Sequence, residues 1–433
     1  MPRCCSPIIL ARKDELDRPS IARQYSNEKA LAFRYRVVPC GKCVNCLKNK
    51  QSDFSYRIVR EARKFGSLVF VTFTYGPGKL PFSVATEFID KRTGEQYLQS
   101  RGVPLEDCTF LEKLRSEYDK LPKSNWPKYF RYQIYEDEEK IVQNVFTPSL
   151  NRRDFRLWLK RERVRYKRKF GKGLPAFSYC CIGEYGPNTV RPHMHACFMG
   201  LSYIEVCRLC ESWTRDFGYV LVENVNCFNL DGSSGFVRAA RYVSKYLYKG
   251  KFDNPAAISG YAEKGRTCCS ISLGTELSDS EKDYLLCKDV FGPLDFQNAS
   301  KLNGNKLTEN ELFSFANLFA QRSIMCVDGT YFKLPRSVVR RLFYDTIKTY
   351  SLSGKLVKIE YKASPLRTAC STIVQDNFLR DYFSKFETSY REFVERKDFT
   401  SLRAALAFVA SCKNSEETSR EVSFQRSIHQ SKF

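Results

Sequence analysis

Residues 184–200 decide the fold and read Glu-Tyr-Gly-Pro-Asn-Thr-Val-Arg-Pro-His-Met-His-Ala-Cys-Phe-Met-Gly. They contain His193 and His195, two of only three histidines in the chain. Residues i and i+2 of a β-strand point to the same face, so both imidazoles project from one side. The positions that follow are apolar on both faces of the strand: Met194, Ala196, Cys197, Phe198 and Met199. This pattern predicts a central strand with a polar site at one end.

A third polar group, Glu184, follows the apolar run 177–183 and precedes a turn-forming linker at 185–192. If the two runs pair as an antiparallel hairpin, Glu184 lies near His193. Two imidazoles and a carboxylate suit a divalent cation, Mg²⁺ or Mn²⁺, that acts on a phosphate. The alternative is that both histidines only cap the end of the strand.

A second motif, residues 235–250, predicts an amphipathic helix. One stripe is apolar and comprises Phe236, Ala240, Val243 and Leu247. The opposite stripe comprises Arg238, Tyr242, Lys245, Tyr246 and Lys249. A phenol has a pKa of about 10, and neighbouring ammonium groups are expected to lower it and to neutralise a phosphate. The alternative is that the tyrosines are half-buried packing residues.

Together the two motifs resemble the HUH endonuclease superfamily, and more closely the replication initiators of the Microviridae of the gokushovirus type. The similarity follows the chain in order through residues 39–46, 70–75, 153–161, 183–186, 191–195, 242–246 and 334–336.

The resemblance implies a rolling-circle replication initiator that cuts and rejoins single-stranded DNA at the origin of a circular phage genome. Tyr242 or Tyr246 would attack a phosphate held by the metal on Glu184 and the two histidines, which leaves a 5′-phosphotyrosine and a free 3′-OH. Lys245 and Lys249 would stabilise phosphate charge or help to deprotonate and orient the phenols.

The same resemblance implies single-stranded and double-stranded phage DNA as partners, in the cytoplasm of a bacterial host. No Walker A sequence is present, so a host helicase is expected besides a host DNA polymerase. Two alternatives remain open. A plasmid-type initiator, relaxase or transposase of the same superfamily would share the chemistry, whereas a non-catalytic single-stranded DNA-binding protein would bind without cutting.

Composition favours a nucleic-acid partner. The 433 residues contain 71 Lys and Arg against 48 Asp and Glu, a net charge of +23. No transmembrane run and no signal peptide are recognised, so no membrane partner is expected. The 18 cysteines are therefore expected to be reduced thiols.

Three of these cysteines, Cys40, Cys43 and Cys46, are spaced as metal ligands often are. They could bind a structural Zn²⁺ with a fourth ligand from elsewhere, and Cys4 and Cys5 lie upstream. Free thiols are the open alternative, because no second Cys-x-x-Cys pair follows.

The predicted fold class is α+β, with a central antiparallel sheet, helices on one face, an N-terminal cysteine motif and a largely helical C-terminal region. Three regions are expected: 1–66, a nuclease core at 67–250 with an insertion at 76–148, and 251–433 with a disordered tail from residue 413. Helices are predicted at 49–64, 151–172, 202–218, 309–322, 337–350 and 376–396, and strands at 67–75, 219–225 and 270–273. Residues 151–172 contain eleven Lys or Arg, which indicates either a solvated helix or contact with DNA phosphates.

Overall fold

A computed structural model describes part of the chain, and these residues fall into two units, one within Phe54–Gly274 and one within Met1–Asp53 and Thr275–Ser427. Among them, no helix has the length and apolar character needed to span a bilayer. The described residues are 8–12, 20–21, 34–41, 43–106, 109–121, 129–186, 191–227, 229, 234–249, 257, 259–265, 267–271, 273–275, 308, 324–327, 330–333, 344–351, 354 and 356–363.

Helices and strands alternate along the described chain. The helices are α1 (Val44–Phe65), α2 (Thr109–Asp119), α3 (Arg152–Phe170), α4 (Tyr203–Asp216) and α5 (Gly235–Lys249). The strands are β1 (Ile8–Arg12), β2 (Ser20–Ile21), β3 (Arg34–Val38), β4 (Val69–Tyr75), β5 (Phe82–Asp90), β6 (Gln96–Pro104), β7 (Phe130–Glu136), β8 (Lys140–Pro148), β9 (Ser178–Tyr185), β10 (Pro192–Met199), β11 (Gly218–Asn224), β12 (Thr267–Cys269), β13 (Ile324–Val327), β14 (Thr330–Lys333), β15 (Tyr344–Tyr350) and β16 (Leu356–Ala363).

A five-stranded antiparallel sheet with the order β11-β4-β10-β9-β12 positions the candidate site. Strand β10, which carries both histidines, lies in its middle. That position matches the apolar character of both faces of the strand, because a central strand is covered on each side. The predicted α+β fold with a central antiparallel sheet is confirmed.

One face of this sheet is the main hydrophobic core. Phe73 on β4 and Ala196 on β10 are fully buried there, against α3 and α4. Trp158 of α3 lies edge-on to Phe73, with ring centroids 5.2 Å apart, and its Nε1 donates a hydrogen bond to Ser212 of α4 at 2.8 Å. The face therefore holds two helices that pack on the sheet and on each other.

The opposite face, which carries the histidines, also holds helices, although it was expected to stay open. Ser178 at the start of β9 donates a hydrogen bond to Glu61 of α1 at 2.6 Å. The hydroxyls of Ser55 on α1 and Ser244 on α5 lie 2.6 Å apart. Helix α5 and the part of α1 beyond Phe54 thus pack together on this face.

The segment predicted as an insertion, residues 76–148, contains a second sheet. Its four strands form an antiparallel sheet with the order β6-β5-β8-β7. Glu87 is fully buried within it and accepts hydrogen bonds from Arg131 at 2.9 Å and from Gln143 at 2.5 Å. The hydroxyl of Tyr261 also donates to Glu87. A buried carboxylate with three donors is satisfied, so this group stabilises the local structure.

The predicted helices and strands of the nuclease core agree with the structure, with shifted ends. Helix α1 begins five residues before the predicted 49, since the Leu47 amide already donates to the Cys43 carbonyl. Ser202 and Glu205 form a reciprocal capping box that starts α4. Leu157 on α3 is 49% exposed, although its neighbour Trp158 is fully buried. The predicted strand at 270–273 lies earlier, at Thr267–Cys269.

The largely helical C-terminal region is not confirmed. Residues 344–350, predicted as the end of a helix, form the strand β15, which pairs with β16. The polarity of residues such as Ile347 and Thr349 fits a strand as well as a helix. The pairing with β16 determines that a strand forms here. The predicted helices at 309–322 and 376–396 and the tail from 413 lie outside the described residues. The three-region division of the chain stays a prediction.

In the unit within Met1–Asp53 and Thr275–Ser427, the described residues include three groups of paired strands. Strands β1, β2 and β3 form a small antiparallel sheet with the order β2-β1-β3. Strands β13 and β14 form one antiparallel pair, and β15 and β16 form another.

Candidate functional site

The site begins with the register between β9 and β10. His193 pairs directly with Glu184, and His195 pairs with Ile182 on one side and Thr72 on the other. Because paired residues share a face, all these side chains point to the same side of the sheet. The antiparallel hairpin inferred from the turn residues therefore brings Glu184 to both histidines.

The three side chains converge on one point. Nε2 of His193 lies 2.5 Å from Oε1 of Glu184, and Nε2 of His195 lies 3.0 Å from the same oxygen. The ligand atoms of the three residues lie within 4.8 Å of one another. Glu184 and His195 are buried, at 3% and 4% exposure, whereas His193 is half-buried. This is a cluster that could hold a metal ion.

The other ring nitrogen of each histidine has its own partner. Nδ1 of His193 lies 3.1 Å from the carbonyl oxygen of Arg191, which can only accept. Nδ1 of His195 lies 3.1 Å from Oγ1 of Thr72. Outer partners of this kind fix the tautomer and turn the Nε2 lone pair toward a metal. The donor set fits a divalent cation, and two imidazoles with one carboxylate accept several such metals.

The carboxylate of Glu184 is kept ionised. Burial on its own raises the pKa of Glu184, but hydrogen bonds to His193 and His195 outweigh burial and lower the pKa to about 2. A buried negative charge at this point favours a cation in the same place.

Helix α5 brings the tyrosine pair onto the cluster. The amide of Val237 donates to the side chain of Ser234 at 3.3 Å, which caps the start of the helix. The ring of Tyr246 stacks on the His195 imidazole, with centroids 4.4 Å apart and planes 14° apart. Tyr242 meets the same imidazole edge-on at 5.8 Å. Both predicted nucleophiles thus lie against a candidate metal ligand.

The tyrosine side of α5 is less exposed than the sequence predicts. Phe236, Ala240 and Val243 are buried as expected, but Tyr246 on the other stripe is only 4% exposed. Helix α5 is therefore covered on two sides, by α1 and by the histidine face of the sheet. Tyr242 is half-buried and is the more accessible of the two phenols.

Lys245 is also buried, with its ammonium over the aromatic faces. Its Nζ lies 4.1 Å from the ring centroid of Tyr242 and 4.9 Å from that of Tyr246. These are cation–π distances. The side chain of Lys249 lies outside the described residues, so its expected role stays a prediction.

The phenols are harder to ionise than free tyrosine. Burial, followed by the negative charge of Glu184, raises the pKa of Tyr246. Burial also raises the pKa of Tyr242, in part offset by a hydrogen bond with Tyr246. The expectation that neighbouring lysines lower these pKa values was wrong, because desolvation of the phenolate dominates.

Phe70 and Thr72 are site residues that the sequence analysis missed. The Phe70 ring stacks on His195 and meets Tyr242 edge-on, each with a centroid distance of 5.6 Å. Both residues project from the strand beside β10 onto the histidine face. The alternation of β4 places them on one face, but only the cross-strand register shows that this face is the histidine one.

The cysteine triad forms a separate cluster at the start of α1. The Cys40 and Cys46 sulfurs lie 3.9 Å apart, and the Cys43 amide donates to the Cys40 sulfur at 3.3 Å. Gly41 adopts a φ of 73°, which permits the tight turn between them. The three sulfurs lie within 4.8 Å of one another and could hold a metal ion. Cys4 and Cys5 lie outside the described residues.

The basic helix α3 presents a charged outer surface. Ten of its 19 residues are Lys or Arg, and its buried residues face the core. Within the part of the chain that the structure describes, four exposed side chains on its outward stripe take part in no ion pair: Arg153, Arg156, Lys160 and Lys167.

Residues 135–251 match the family model of the replication-associated protein ORF2/G2P. The matched stretch contains the candidate metal cluster, the tyrosine helix and α3. No curated protein and no solved structure matches the chain significantly. The family match supports a replication initiator, and with it a DNA partner.

Proposed function

We propose that this chain initiates rolling-circle replication of a circular phage genome, as a metal-dependent, site-specific nicking and joining endonuclease of the HUH type. The observation that carries the proposal is the contact of both tyrosine rings with His195 of the metal cluster. Two potential nucleophiles beside one cation site are what alternating cleavage and joining require.

A divalent cation held by Glu184, His193 and His195 would polarise the scissile phosphate and neutralise its charge. The phenolic oxygen of a tyrosine attacks phosphorus, and the bond from phosphorus to the 3′-oxygen breaks. The phenolic proton passes to the leaving 3′-oxygen, so the products are a 5′-phosphotyrosine and a free 3′-OH. The reverse reaction rejoins the strand, and no nucleotide cofactor is consumed.

The two tyrosines have different starting positions. Tyr242 is half-buried, whereas Tyr246 is stacked flat on the imidazole of His195. A substrate phosphate reaches the more accessible phenol, that of Tyr242, with less rearrangement. We therefore assign the first cleavage to Tyr242 and the second to Tyr246. The buried ammonium of Lys245 would offset negative charge as either phenol loses its proton.

The biological setting follows the resemblance of the motifs to the Microviridae initiators. The free 3′-OH would prime a host polymerase, with a host helicase opening the duplex in the bacterial cytoplasm. A plasmid-type initiator, relaxase or transposase would use the same residues in the same way.

The outer surface of α3 would bind double-stranded DNA beside the origin. The helix is separated from the histidine face by the sheet itself, since Phe155 and Trp158 pack into the opposite core. Its outward stripe spans about 21 Å from Arg153 to Lys167, at about 1.5 Å per residue. Unpaired Lys and Arg along such a length suit the regular phosphates of a duplex.

The cysteine triad would hold a structural Zn²⁺. Thiolates at Cys-x-x-Cys spacing with a backbone amide donating to sulfur suit this ion, and the helix N-terminus stabilises negative sulfur. Replacing Cys43 by Ser should remove about one equivalent of zinc and lower the melting temperature by several degrees. Metal analysis and thermal melting measure both effects, with Cys207→Ser, outside the triad, as the control. Equal zinc content in both variants would refute the assignment.

The nicking proposal is tested with labelled single strands that tile a cognate circular genome, incubated with protein and Mn²⁺. A covalent protein–DNA adduct on a denaturing gel, mapped to Tyr242 by mass spectrometry, is the expected result. Tyr242→Phe should abolish the adduct from the first cleavage. Tyr246→Phe should keep it and lose the joining of the released strand.

A second candidate function is single-stranded DNA binding without cleavage. The raised pKa of both phenols favours it, since neither is activated in the described geometry. Tight binding by folded protein, without an adduct on any strand and unchanged in the double Phe variant, would support this candidate instead.

A further inference from the structure

The histidine face of the central sheet continues beyond the metal cluster onto the edge strand β11. Tyr219 pairs with Thr74, which in turn pairs with His193. Leu221 lies in the next row on the same face, the row that contains His195. Because paired residues point to one side, both side chains share the face of the candidate site.

These two side chains are exposed, unlike their neighbours on the strand. Tyr219 is 62% exposed and Leu221 is 58% exposed. Val220 and Val222, which point the other way, pack against the hydrophobic core under α4. The alternation shows that the strand has an apolar inner face, whereas its outer face presents Tyr219 and Leu221 beside the polar cluster and then the carboxylate of Glu223. Adjacent exposed apolar side chains next to a site indicate a binding surface.

The tyrosine helix covers only one side of this face. Helix α5 packs on β9 and β10, where its two tyrosine rings meet His195. Among the residues that the structure describes, none covers Tyr219 or Leu221 to that extent. The surface therefore opens from the cluster toward the edge of the sheet.

A close backbone approach holds the start of β11 in place. The Gly76 amide donates to the Phe217 carbonyl at 2.9 Å. A Cβ on Gly218 would lie 2.1 Å from the Gly76 nitrogen, so this position requires glycine. Tyr219, the next residue, therefore lies on a stretch of backbone that is fixed to the end of β4.

We propose that Tyr219 and Leu221 form a stacking platform for bases of single-stranded DNA next to the cleaved phosphate. The inference rests on the proposed function for the position of the phosphate. Two strand spacings, about 10 Å, separate β11 from β10, which is the span of a few nucleotides. An aromatic ring flanked by an apolar side chain binds the face of any base, whereas paired bases in a duplex are already stacked.

The platform is tested by the binding of a short oligothymidylate that contains one 2-aminopurine, without added divalent metal. Tyr219→Ala should weaken binding about 5- to 100-fold and remove the quenching of 2-aminopurine by stacking. Tyr219→Phe should keep both, because the ring and not the hydroxyl carries the contact. The slope of affinity against salt should stay the same, since no phosphate contact is removed.

The control is Tyr135→Ala, which removes a tyrosine of similar exposure from the insertion sheet and should bind like the unchanged protein. Unchanged affinity and quenching in Tyr219→Ala, with a melting temperature like that of the parent, would overturn the platform while leaving the adduct test of nicking intact. Loss of binding in Tyr219→Ala, in a protein that forms no adduct, would keep the platform and remove the nicking proposal. Capture of a protein partner at Tyr219 with no effect on DNA would also overturn it.

Discussion

The two faces of the central sheet carry different kinds of side chain around the candidate site, although they are made by alternate residues of the same strands. On β10, His193 and His195 face a carboxylate and two phenols, whereas Met194 and Ala196 face the apolar core. Strand β4 divides in the same way, with Thr72 on the histidine face and its neighbours in the core.

The histidine face carries the residues of the candidate site, whereas the core face carries residues that stabilise the fold. The core face binds α3 and α4 through burial of large apolar rings, which stabilises the fold. The histidine face buries charged and polar groups, and such groups are costly unless they are paired. A substitution on one face should therefore change either activity or stability, and the predictions below test that division.

The largest effect is expected from Glu184→Gln on the histidine face. The change keeps the shape of the side chain but removes the charge that both imidazoles contact. Losing a partner of a ligand typically costs 10- to 100-fold in metal affinity, so losing a ligand should cost more than about 100-fold. The rate of adduct formation against Mn²⁺ concentration measures the loss.

The control for this change is Glu112→Gln, which neutralises an exposed carboxylate on α2, a helix whose Leu111 and Leu114 pack into the opposite core. Duplex binding through α3 should be the same in both variants. Adduct formation by Glu184→Gln at the rate of the parent would mean that the cluster is not the cation site.

Much of this division can be predicted from the sequence. Alternation alone separates the histidines from Met194 and Ala196, and the turn residues between the two runs pair Glu184 with His193. The tyrosine helix follows from its apolar stripe. These features depend on neighbours close in the chain, where periodicity is informative.

Contacts between distant segments could not be predicted in the same way. The pairing of Thr72 with His195 joins strands more than a hundred residues apart, and nothing local sets that register. The burial of Tyr246 depends on where α5 packs, so its raised pKa was also missed. The exposed Leu157 on α3 shows the same limit of prediction, because an apolar residue is predicted to be buried until the residues that surround it are known.

A smaller effect is expected from substitutions on the outer surface of α3, one of the helices that pack on the core face. Replacing Arg153, Arg156, Lys160 and Lys167 together by Ala should lower the magnitude of the slope of log affinity for duplex DNA against log salt by about 3.6. Ala is a strong helix former, so α3 should persist. Adduct formation on a short single strand should not change.

The matched control neutralises four exposed cations of the insertion, by the changes Lys79→Ala, Arg92→Ala, Lys120→Ala and Lys140→Ala. Both variants lose the same net charge, so a general effect of charge would appear in each. Equal slopes in the two variants would show that α3 is a solvated helix and not a duplex-binding surface.

The smallest effect is expected from single substitutions on β4, which test the division between the two faces at individual residues. Thr72→Val removes the partner of Nδ1 of His195, and it should raise the Mn²⁺ concentration for half-maximal adduct formation about 10- to 100-fold. Saturating Mn²⁺ should restore the rate, because the ligand itself remains. Thr74→Val makes the same chemical change beside His193, whose Nδ1 is held by the Arg191 carbonyl instead. Thr74→Val should therefore leave the Mn²⁺ dependence unchanged. An equal shift in both variants would mean that the polarity of the face, and not the hydrogen bond to His195, determines the affinity for the cation.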